Sequence, residues 1–393
     1  MRILSVTAQK PHSTGSGVYL TELVREFAAM GHAQAVVAGV YENDTADFPK
    51  GVVFYPVYFN TEALPFPIAG MSDEMPYPST AYRHMTDKMT AAFMAAFGAA
   101  LQNAVAAFAP DVILCHHLYL VTALARRLFP NRQVWGVCHG SDLRQMYENP
   151  RWHGYIRSGV CALDKVFCLH AAQRRTAMDG YGLPAARVRV VGSGYNHHIF
   201  FDRGERRPHS DVRLVFAGKI SEKKGVYSLL AALAMLGWAR EDFSLRLCGG
   251  WGGEKQRDEM VKSIEQSGYD VTLLGSLDQT RLAAEFNRGD VFVLPSFYEG
   301  LPLVLAESMA CGMKAVCTDL PGIREWMDAH VPHHGIRFVP PPQMLDADTP
   351  KPESLPGFAC ALAAAIREAA AAQGARPVLS GLSWRAVCDR ILE

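Results

Sequence analysis

The chain has 393 residues, of which 49% are hydrophobic and 20% charged, as in soluble globular proteins large enough for two domains. Lysine plus arginine equals aspartate plus glutamate at 39 each, so no overall charge attracts a polynucleotide and no nucleic-acid partner is expected. The nine cysteines form no C-x-x-C pair, and the apolar start is too short for a signal sequence. We therefore expect reduced thiols and a cytoplasmic protein.

Short apolar segments alternate with helix-length segments along the chain. The predicted strands are RILSVTA (2–8), AQAVVAGV (33–40), DVILCHH (111–117), QVWGVC (133–138), KVFCLH (165–170), RVRVVG (187–192), RLVFAGK (213–219), SLRLCG (244–249), VTLLGS (271–276), VFVLPS (291–296) and KAVCTD (314–319). This alternation predicts an α/β protein with two Rossmann-like, doubly wound domains facing across a cleft. The polar stretch 192–211 is typical of a linker, so we place the domains at 1–195 and 196–375, followed by a terminal helix at 376–393.

Two segments of the first half break this alternation. Residues 60–88 contain four prolines and predict an irregular insertion, which in a compact domain is often functional. Its side chains suit stacking on a sugar or covering a lipid: Tyr77, Tyr82, Asp73 and Glu74. Residues 89–109 carry no charge and have the length of a membrane span, but Gln102, Asn103 and many alanines favour a buried or amphipathic helix of a soluble protein.

Glycines follow the first predicted strand. Gly15 and Gly17 form a turn that leads into a helix ending at Gly31. Leu20 stands where the third glycine of the G-x-G-x-x-G dinucleotide fingerprint would be. The turn therefore argues against a dehydrogenase.

Histidines follow two of the predicted strands. His116 and His117 end one strand, and His139 comes just after the next. Because the carboxyl ends of parallel strands meet at one edge of a sheet, we expect all three at the edge where ligands bind. Asp142 and Arg144 follow closely and could hydrogen-bond to His139 or to a ligand. Each histidine could equally support its own loop.

Two carboxylates lie eight positions apart in SFYEGLPLVLAES, residues 296–308. The turn with Glu299 follows a predicted strand, and Glu307 lies in the next helix among apolar neighbours, where a carboxylate needs hydrogen-bond donors. The start of that helix predicts an anion site made by the backbone of Gly300, Leu301, Pro302 and Leu303. Either both carboxylates bind a ligand with hydroxyl groups, as a sugar nucleotide has, or Glu307 caps a loop and Glu299 is solvated.

The stretch 297–325, FYEGLPLVLAESMACGMKAVCTDLPGIRE, resembles the E-x7-E region of retaining glycosyltransferases of the GT-B fold, family four. In that family the first glutamate lies at the transferred sugar and the second binds the ribose, which implies these roles for Glu299 and Glu307. VFAGKISEKKGVYSLL resembles the family's G-R-x-x-x-x-K-G motif: Gly218 and Lys224 are kept and Lys219 replaces arginine. The two lysines would hold a diphosphate, although Lys219 lacks the planar fork of arginine.

Other segments resemble the same family in the same order. The resemblance implies that the backbone at Gly15 and Gly17 approaches the donor and that His139 approaches the donor sugar and the acceptor hydroxyl. RVRVVGSGYNHHIF, 187–200, carries Asn196 where the family usually has aspartate. LSWRAVCDRILE resembles the terminal helix that crosses back to the first domain in this fold.

The resemblance implies retaining transfer of a sugar from a nucleoside diphosphate sugar, with UDP as first choice, to the hydroxyl of a glycan, a lipid-linked or a small-molecule acceptor. His139 and Glu299 are the expected catalytic residues. The expected acceptor side consists of His116, His117, Asp142, Arg144 and Tyr77. A sugar-nucleotide epimerase and a non-catalytic nucleotide-sugar-binding protein of the same fold are the alternatives.

No cofactor and no metal are expected. The D-x-D triplet at 346–348 lies in a proline-rich stretch and is interpreted as a solvated loop rather than a metal site. A lipid-linked acceptor would need peripheral membrane contact, for which 89–109 and the basic stretch 125–132 are candidates.

Overall fold

The computed structural model describes residues 1–72, 75–204, 209–251, 254–346, 348–373 and 376–393, and the side chains of 254–256 are outside this description. The chain forms two compact units: unit 1 is Met1–Ser193 with Trp384–Glu393, and unit 2 is Gly194–Ser383. Each unit has a parallel sheet with helices, which confirms the predicted α/β class. The arrangement of the two units across a cleft stays a prediction.

Unit 1 is built on a seven-stranded parallel sheet in the order β3-β2-β1-β6-β7-β8-β9. The strands are β1 Arg2–Thr7, β2 Ala33–Val40, β3 Val53–Tyr58, β6 Val112–His116, β7 Gln133–Val137, β8 Lys165–Cys168 and β9 Val188–Val190, and β4 Ala69–Gly70 with β5 Thr80–Ala81 forms a separate small sheet. The central strand β1 is buried from Ile3 to Thr7, as expected for a strand covered on both faces.

Helices cover both faces of this sheet. They are α1 Gly15–Ala29, α2 Asp87–Phe108, α3 Leu120–Leu128, α4 Ser141–Glu148, α5 His153–Cys161, α6 Ala171–Tyr181 and α13 Trp384–Leu392. Alternate residues of β2 divide between the two faces: Val36 and Ala38 pack with α1, whereas Ala35 and Val37 join the larger core. The sequence period of two thus assigns α1 to one layer and α2 to the other.

Helix α2 is the charge-poor segment that has the length of a membrane span. Thr86 caps its start by accepting from the Met89 N–H at 3.2 Å, and Ala109 ends it in the left-handed conformation before Pro110. The helix is long and apolar enough to cross a membrane by length and composition. Its positions Phe93, Phe97, Leu101, Ala104 and Phe108 recur every three or four residues and are buried in the core of unit 1. This packing agrees with the predicted amphipathic helix.

Unit 2 has a six-stranded parallel sheet in the order β12-β11-β10-β13-β14-β15. The strands are β10 Val212–Ala217, β11 Phe243–Cys248, β12 Val271–Gly275, β13 Val291–Leu294, β14 Lys314–Thr318 and β15 Arg337–Val339. The helices are α7 Val226–Leu233, α8 Glu254–Ser267, α9 Gln279–Arg288, α10 Leu303–Ala310, α11 Ile323–His330 and α12 Leu355–Ala371. The apolar face of α12 packs on α7 and on the last three strands, and closes the core.

Of the four strands that the sequence did not predict, β4 and β5 form the separate small sheet, and β3 and β15 lie at the edges of the two large sheets. β3 contains Pro56, which an edge strand tolerates, and most of its residues are only partly buried. β15 has three residues and precedes a run of prolines. Edge strands need no continuous apolar run, so the pattern used for the central strands does not find them.

The terminal helix α13 begins at Trp384 rather than at 376. Residues before it belong to unit 2, because the Tyr195 N–H donates to Leu382 O at 3.0 Å and Tyr195 pairs with Ser383. From Trp384 onward the helix packs on α1 of unit 1, and Arg390 Nε donates to Val191 O at 2.8 Å. The chain therefore passes from unit 2 back to unit 1 between Ser383 and Trp384.

Candidate functional site

Three histidines meet at the carboxyl edge of the unit 1 sheet. His116 ends β6, His117 follows in the left-handed conformation with φ 69°, and His139 lies two residues beyond β7. His116 Nδ1 and His139 Nε2 are 3.1 Å apart, and their rings are nearly parallel, at an interplanar angle of 17° with centroids 5.3 Å apart. The ring of His117 lies 4.8 Å from that of His139. The structure thus brings together the three histidines singled out in the sequence.

Burial keeps this histidine cluster (His116, His117 and His139) neutral. Burial, together with the neighbouring His117, lowers the pKa of His116 to about 3. The pKa of His139 is also well below its usual value because of burial and the two other histidines. Burial lowers the pKa of His117 too, against the opposing effect of Asp142. Near pH 7 the cluster carries no charge, and its rings can donate hydrogen bonds to a ligand or accept them from it.

Several nitrogens of the cluster are buried without a hydrogen-bond partner in the described part of the chain. They are His116 Nε2 and both ring nitrogens of His117. Buried polar groups are normally paired, and unpaired ones concentrate at functional sites. His139 has none of these buried, unpaired atoms and is the partly exposed member of the cluster.

Tyr19 supports the cluster from α1. Its hydroxyl donates to Gly192 O at 2.9 Å, and its ring stands edge-on to His139 at 5.1 Å and to Trp384 at 5.0 Å. The tyrosine is fully buried, so it fixes the position of the imidazole by packing. Tyr19 was not predicted as a site residue; its position two residues after Gly17, at the start of the second turn of α1, is the signal that was available.

Asp142 is fully buried and hydrogen-bonds to the backbone of His139, one of the two options that the sequence left open; a contact with an acceptor stays a prediction. Its carboxylate accepts from the backbone N–H groups of Leu118 at 2.8 Å and Gly140 at 2.8 Å, and from those of His139 and Leu143 at longer distances. The Cys138 thiol also donates to it at 3.3 Å. These donors come from the turns after β6 and β7, so Asp142 joins the two turns that carry the histidines.

Arg144 lies near the insertion, which contains Tyr77. Arg144 Nη2 is 3.5 Å from the Ser72 hydroxyl, and its Nε is 3.9 Å from Glu148. Asp73 and Glu74, which the sequence singled out beside them, lie outside the described residues. The structure therefore places Arg144 against the insertion; an acceptor role for Arg144 or Tyr77 stays a prediction.

A cation that the sequence analysis did not single out lies next to Tyr77. Lys10 Nζ is 5.3 Å from the ring centroids of both Tyr41 and Tyr77 and 2.5 Å from Asp44 Oδ1. Asp44 also accepts from the Tyr41 N–H at 2.8 Å. The loop after β1 is thereby attached to the insertion and to the segment after β2.

The two glycines of the first turn differ in their surroundings. A Cβ on Gly17 would lie 2.7 Å from Lys10 O, so glycine is required for the loop to pack against the start of α1. A Cβ on Gly15 would meet nothing within 4 Å. Thr14 caps α1 by accepting from the Gly17 N–H at 3.1 Å. The approach of a ligand to this backbone stays a prediction.

In unit 2 two of the predicted charged residues, Lys224 and Glu299, meet at the carboxyl edge of the sheet. Lys224 follows β10, Glu299 follows β13, and their side chains form an ion pair with Nζ and Oε1 2.6 Å apart. The two turns pack closely: the Phe297 N–H donates to Lys223 O, and a Cβ on Gly225 would lie 2.0 Å from Pro295 O. Gly225, at φ 67°, therefore permits the contact that unites the two charges.

Helix α10 begins beside this ion pair. Pro302 precedes its first residue, Leu303, and no side chain of the described residues caps the start; because the Leu305 N–H donates to Pro302 O, the N–H groups of Leu303 and Val304 are the candidates for a ligand. Pro302 itself has no N–H to offer. Glu307, in the second turn, is only 5% exposed, as the apolar neighbours predicted. Gly218 and Lys219 lie directly after β10 at the same edge and are partly buried.

The D-x-D triplet is not a solvated loop throughout. Asp348 is 8% exposed and pairs with Lys223, Nζ to Oδ2 2.7 Å. Asp346 Oδ1 accepts from the N–H groups of Asp348 and Thr349 and shapes the turn. The prediction was wrong for Asp348 because a lysine distant in sequence pairs with it. Within the described residues no group of three or more His, Cys, Asp or Glu side chains could hold a metal.

Asn196 replaces the aspartate that the resemblance predicted at the junction. Its side-chain oxygen accepts from the His198 N–H at 3.1 Å, and its backbone oxygen accepts from Phe200 N at 2.9 Å. Phe200 is fully buried. An amide oxygen makes this turn as a carboxylate would, so the structure needs no charge here.

Comparisons with known proteins bear on this pair of sites. A family model described as Glycosyl transferases group 1 matches residues 199–349, and one described as Glycosyltransferase Family 4 matches residues 13–199. Together they match from 13 to 349, and the charged site of unit 2 and the histidine cluster lie inside these matches.

The two models divide the chain between them, so it has the domain pair of a GT-B glycosyltransferase of the family 4 type. The chain matches D-inositol 3-phosphate glycosyltransferase of Pseudarthrobacter chlorophenolicus with 34% identity over 154 residues, 36% of each protein. Matches to the first curated relatives span between 28% and 57% of their lengths. The predicted family resemblance is confirmed by these matches, and the activity of the whole protein belongs to the proposal below.

Solved structures confirm the GT-B fold. Sucrose-phosphate synthase of Thermosynechococcus elongatus has a TM-score of 0.70 at 18% identity, covering 100% of this chain and 97% of that one. HepE of Anabaena, solved with UDP and glucose, has a TM-score of 0.64 at 13% identity, covering 100% of this chain and 98% of that one. At these identities the likeness concerns the fold.

Proposed function

We propose that this family 4 glycosyltransferase moves a sugar from a nucleoside diphosphate sugar to an acceptor hydroxyl and retains the anomeric configuration. One observation carries the proposal: the Lys224–Glu299 ion pair, at 2.6 Å, lies beside the uncapped start of α10. A cation, a carboxylate and free helix N–H groups at one sheet edge match a ligand that has both phosphate and hydroxyl groups.

The diphosphate binds at Lys224, Lys219 and the start of α10 in this proposal. Negative charge increases on the diphosphate as the bond to the sugar breaks, and fixed positive groups stabilise that charge in the transition state. Lys224 is 27% exposed in its side chain, so a ligand can reach it from solvent. The positive end of α10 adds to the same effect without a metal ion.

The two glutamates bind hydroxyl groups. Glu299 is held by Lys224 through Oε1, which leaves Oε2 to accept from a sugar hydroxyl. Glu307, which is buried in the second turn of α10, is assigned to the ribose. No side chain is assigned as a covalent nucleophile: the acceptor oxygen attacks the face that the leaving phosphate departs from, and the phosphate oxygen takes the proton of the acceptor hydroxyl.

UDP is the first candidate for the nucleotide, and the HepE structure with UDP and glucose supports this choice. For the acceptor, the name of the inositol phosphate relative supports a small polyol, and a glycan stays a second option. The basic stretch 125–132 gives little support to peripheral membrane contact. Arg126 pairs with Asp164 at 2.7 Å and Arg132 donates to Pro110 O, so both arginines already have partners within unit 1. Cytoplasmic location and metal independence stay part of the proposal.

The first test is titration calorimetry with UDP, GDP and ADP, each with and without EDTA. We expect one diphosphate to bind and EDTA to leave its Kd unchanged. Mass spectrometry of the matching sugar nucleotide should then show slow hydrolysis without acceptor. Conversion of the donor into another sugar nucleotide would instead establish an epimerase, and binding without any turnover would establish a binding protein.

The decisive variant is Glu299→Gln, with Glu241→Gln, at an exposed position, as the matched control. We expect Glu299→Gln to reduce turnover about 100-fold, because the amide loses the charge that orients Lys224 and one hydroxyl acceptor, while Kd for the nucleotide changes less than about tenfold. Turnover equal to that of the control would exclude the assigned role.

A further inference from the structure

The hydrogen bond between His116 and His139 contains one proton, and its direction decides what His139 can do. The two nitrogens, His116 Nδ1 and His139 Nε2, are 3.1 Å apart, and both rings are neutral near pH 7 because burial lowers both pKa values. A neutral imidazole has one N–H and one bare nitrogen. One ring therefore donates and the other accepts.

The surroundings of His116 indicate that it is the donor. If His139 donated, His116 would carry its own proton on Nε2, which is buried and has no partner among the described residues. If His116 donates through Nδ1–H, its Nε2 is a bare acceptor instead. Unpaired buried N–H groups are rarer than under-used acceptors in proteins, so the second arrangement has the lower free energy.

The consequence reaches His139. When its Nε2 accepts from His116, the single proton of the neutral ring lies on Nδ1. We propose that His116 is a positioning residue that fixes His139 as an Nδ1–H donor, so that His139 donates a hydrogen bond to a sugar oxygen instead of acting as a base. This inference rests on the proposed function and specifies the role of His139 in it.

The proposed reaction agrees with a donor at this position. The bond from the anomeric carbon to the phosphate oxygen breaks, the bond to the acceptor oxygen forms, and the acceptor proton passes to the departing phosphate oxygen. No protein base is needed to balance the step. A fixed N–H donor orients a sugar oxygen and leaves the proton transfer to the phosphate.

The surrounding residues hold the pair in this geometry. Tyr19 packs edge-on against His139, and Asp142 accepts from the His139 N–H and from the Leu118 N–H beyond His117. Both turns are thereby fixed relative to each other before any ligand binds. The tautomer of His139 is consequently a property of the protein without substrate and can be measured in its absence.

The test is nitrogen-15 NMR of the histidine side chains in the intact, ligand-free protein at about pH 7. The chain has 14 histidines, and His139 is identified as the signal that disappears in His139→Gln. We expect the Nδ1–H form, which is the less populated tautomer of a free histidine in water. An Nε2–H form in the wild-type protein would overturn the inference whatever the enzyme does.

Variants at His116 supply the kinetic test. His116→Asn keeps an amide N–H near the position of Nδ1, whereas His116→Leu keeps the volume and removes the donor. We expect His116→Leu to leave the tautomer of His139 no longer fixed, so that the Nε2–H form becomes populated beside the Nδ1–H form, and to lower kcat about tenfold with little change in KM for the donor. His116→Asn should restore the Nδ1–H form and most of that kcat. Equal kcat in wild type and His116→Leu, with the Nε2–H form populated, would also overturn the proposal.

Different results would contradict the proposed sugar transfer and the proposed tautomer of His139. If no sugar nucleotide is turned over but the Nδ1–H form is found in the ligand-free protein, the proposed function fails and the geometry of the pair stands. If transfer is measured but His139 is Nε2–H, the function stands and His139 is free to accept a proton. Should His116→Leu not fold, the wild-type spectrum and His116→Asn decide.

Discussion

The two sheet edges that carry the candidate sites differ in charge and burial. In unit 1 the cluster of His116, His117 and His139 is mostly buried and neutral, and its polar groups contact one another and aromatic rings. In unit 2, Lys224 and Glu299 are charged and partly exposed. The first edge suits uncharged hydroxyl groups, which cost less to desolvate than charged groups do. The second edge suits a diphosphate. The same type of parallel sheet thus presents two different chemistries.

The charged edge should be the more sensitive one. Lys224→Ala removes the cation beside Glu299, and we expect kcat/KM to fall about 100- to 1,000-fold because the charge on the leaving group is no longer stabilised. Lys223→Ala is the matched control, since the neighbouring lysine pairs with Asp348 instead. Steady-state kinetics with saturating acceptor measures both. Equal losses in the two variants would contradict the separate role of Lys224.

At the neutral edge the largest effect should be on stability. Asp142→Ala leaves several buried N–H groups without an acceptor, and we expect the free energy of unfolding of unit 1 to fall by about 3 kcal/mol. Asp179→Ala, at an exposed position in α6, should change it by less than about 0.5 kcal/mol. Urea unfolding followed by tryptophan fluorescence gives both values. A small effect of Asp142→Ala would mean that the two turns need no common acceptor.

Acid should weaken the neutral edge in a defined window. The folded pKa of His116 is about 3 and the usual value is 6.5, so the unfolded chain binds this proton between those values and the folded chain does not. Stability therefore falls as pH drops below 6.5, by about 1.4 kcal/mol per pH unit for this group, and is independent of it above 6.5. Urea unfolding between about pH 5 and 7 should show a smaller slope in His116→Asn. Parallel slopes would disprove the burial of a neutral His116.

The smallest effect concerns the two glycines at the start of α1. Gly17→Ala places a Cβ against Lys10 O, and we expect a loss of about 1 to 3 kcal/mol in stability. Gly15→Ala, with open space around it, should be neutral or stabilise the helix by up to about 1 kcal/mol. Thermal unfolding of both variants compares them directly. A destabilising Gly15→Ala would show that the two positions do not differ as the structure indicates.

Much of the fold was predictable because parallel strands leave a strong signal. Buried central strands such as β1 and β13 have continuous apolar runs, and the order of strands and helices follows from them. The edge strands β3 and β15 were missed because an edge strand needs no continuous apolar run, and such a run is the pattern that identified the central strands. The position of α13 in unit 1 was suggested by a resemblance, and its start at Trp384 was set by the pairing of Tyr195 with Ser383.

The candidate site was predictable as a set of positions and less so as a set of contacts. Glu299 and His139 were identified because each follows a strand, where the edge of a parallel sheet binds ligands, and Lys224 was implied by the resemblance to a family motif. For Asp142 the sequence left a bond to His139 and a bond to a ligand open, because its position says nothing of the five groups that donate to it. Asp348 was assigned to solvent because its partner, Lys223, is far away in sequence.

By itself the sequence determined the parallel α/β class, the division near residue 194, and the strand ends at which histidines, lysines and glutamates occur. These features depend on local periodicity and on the position of a residue relative to a strand, and both can be read from the amino-acid sequence alone. Only the tertiary structure decided which of these groups touch: Lys224 with Glu299, His116 with His139, Asp142 with two turns. Such pairings depend on distances between residues far apart in the chain, and those distances exist only once the strands have aligned.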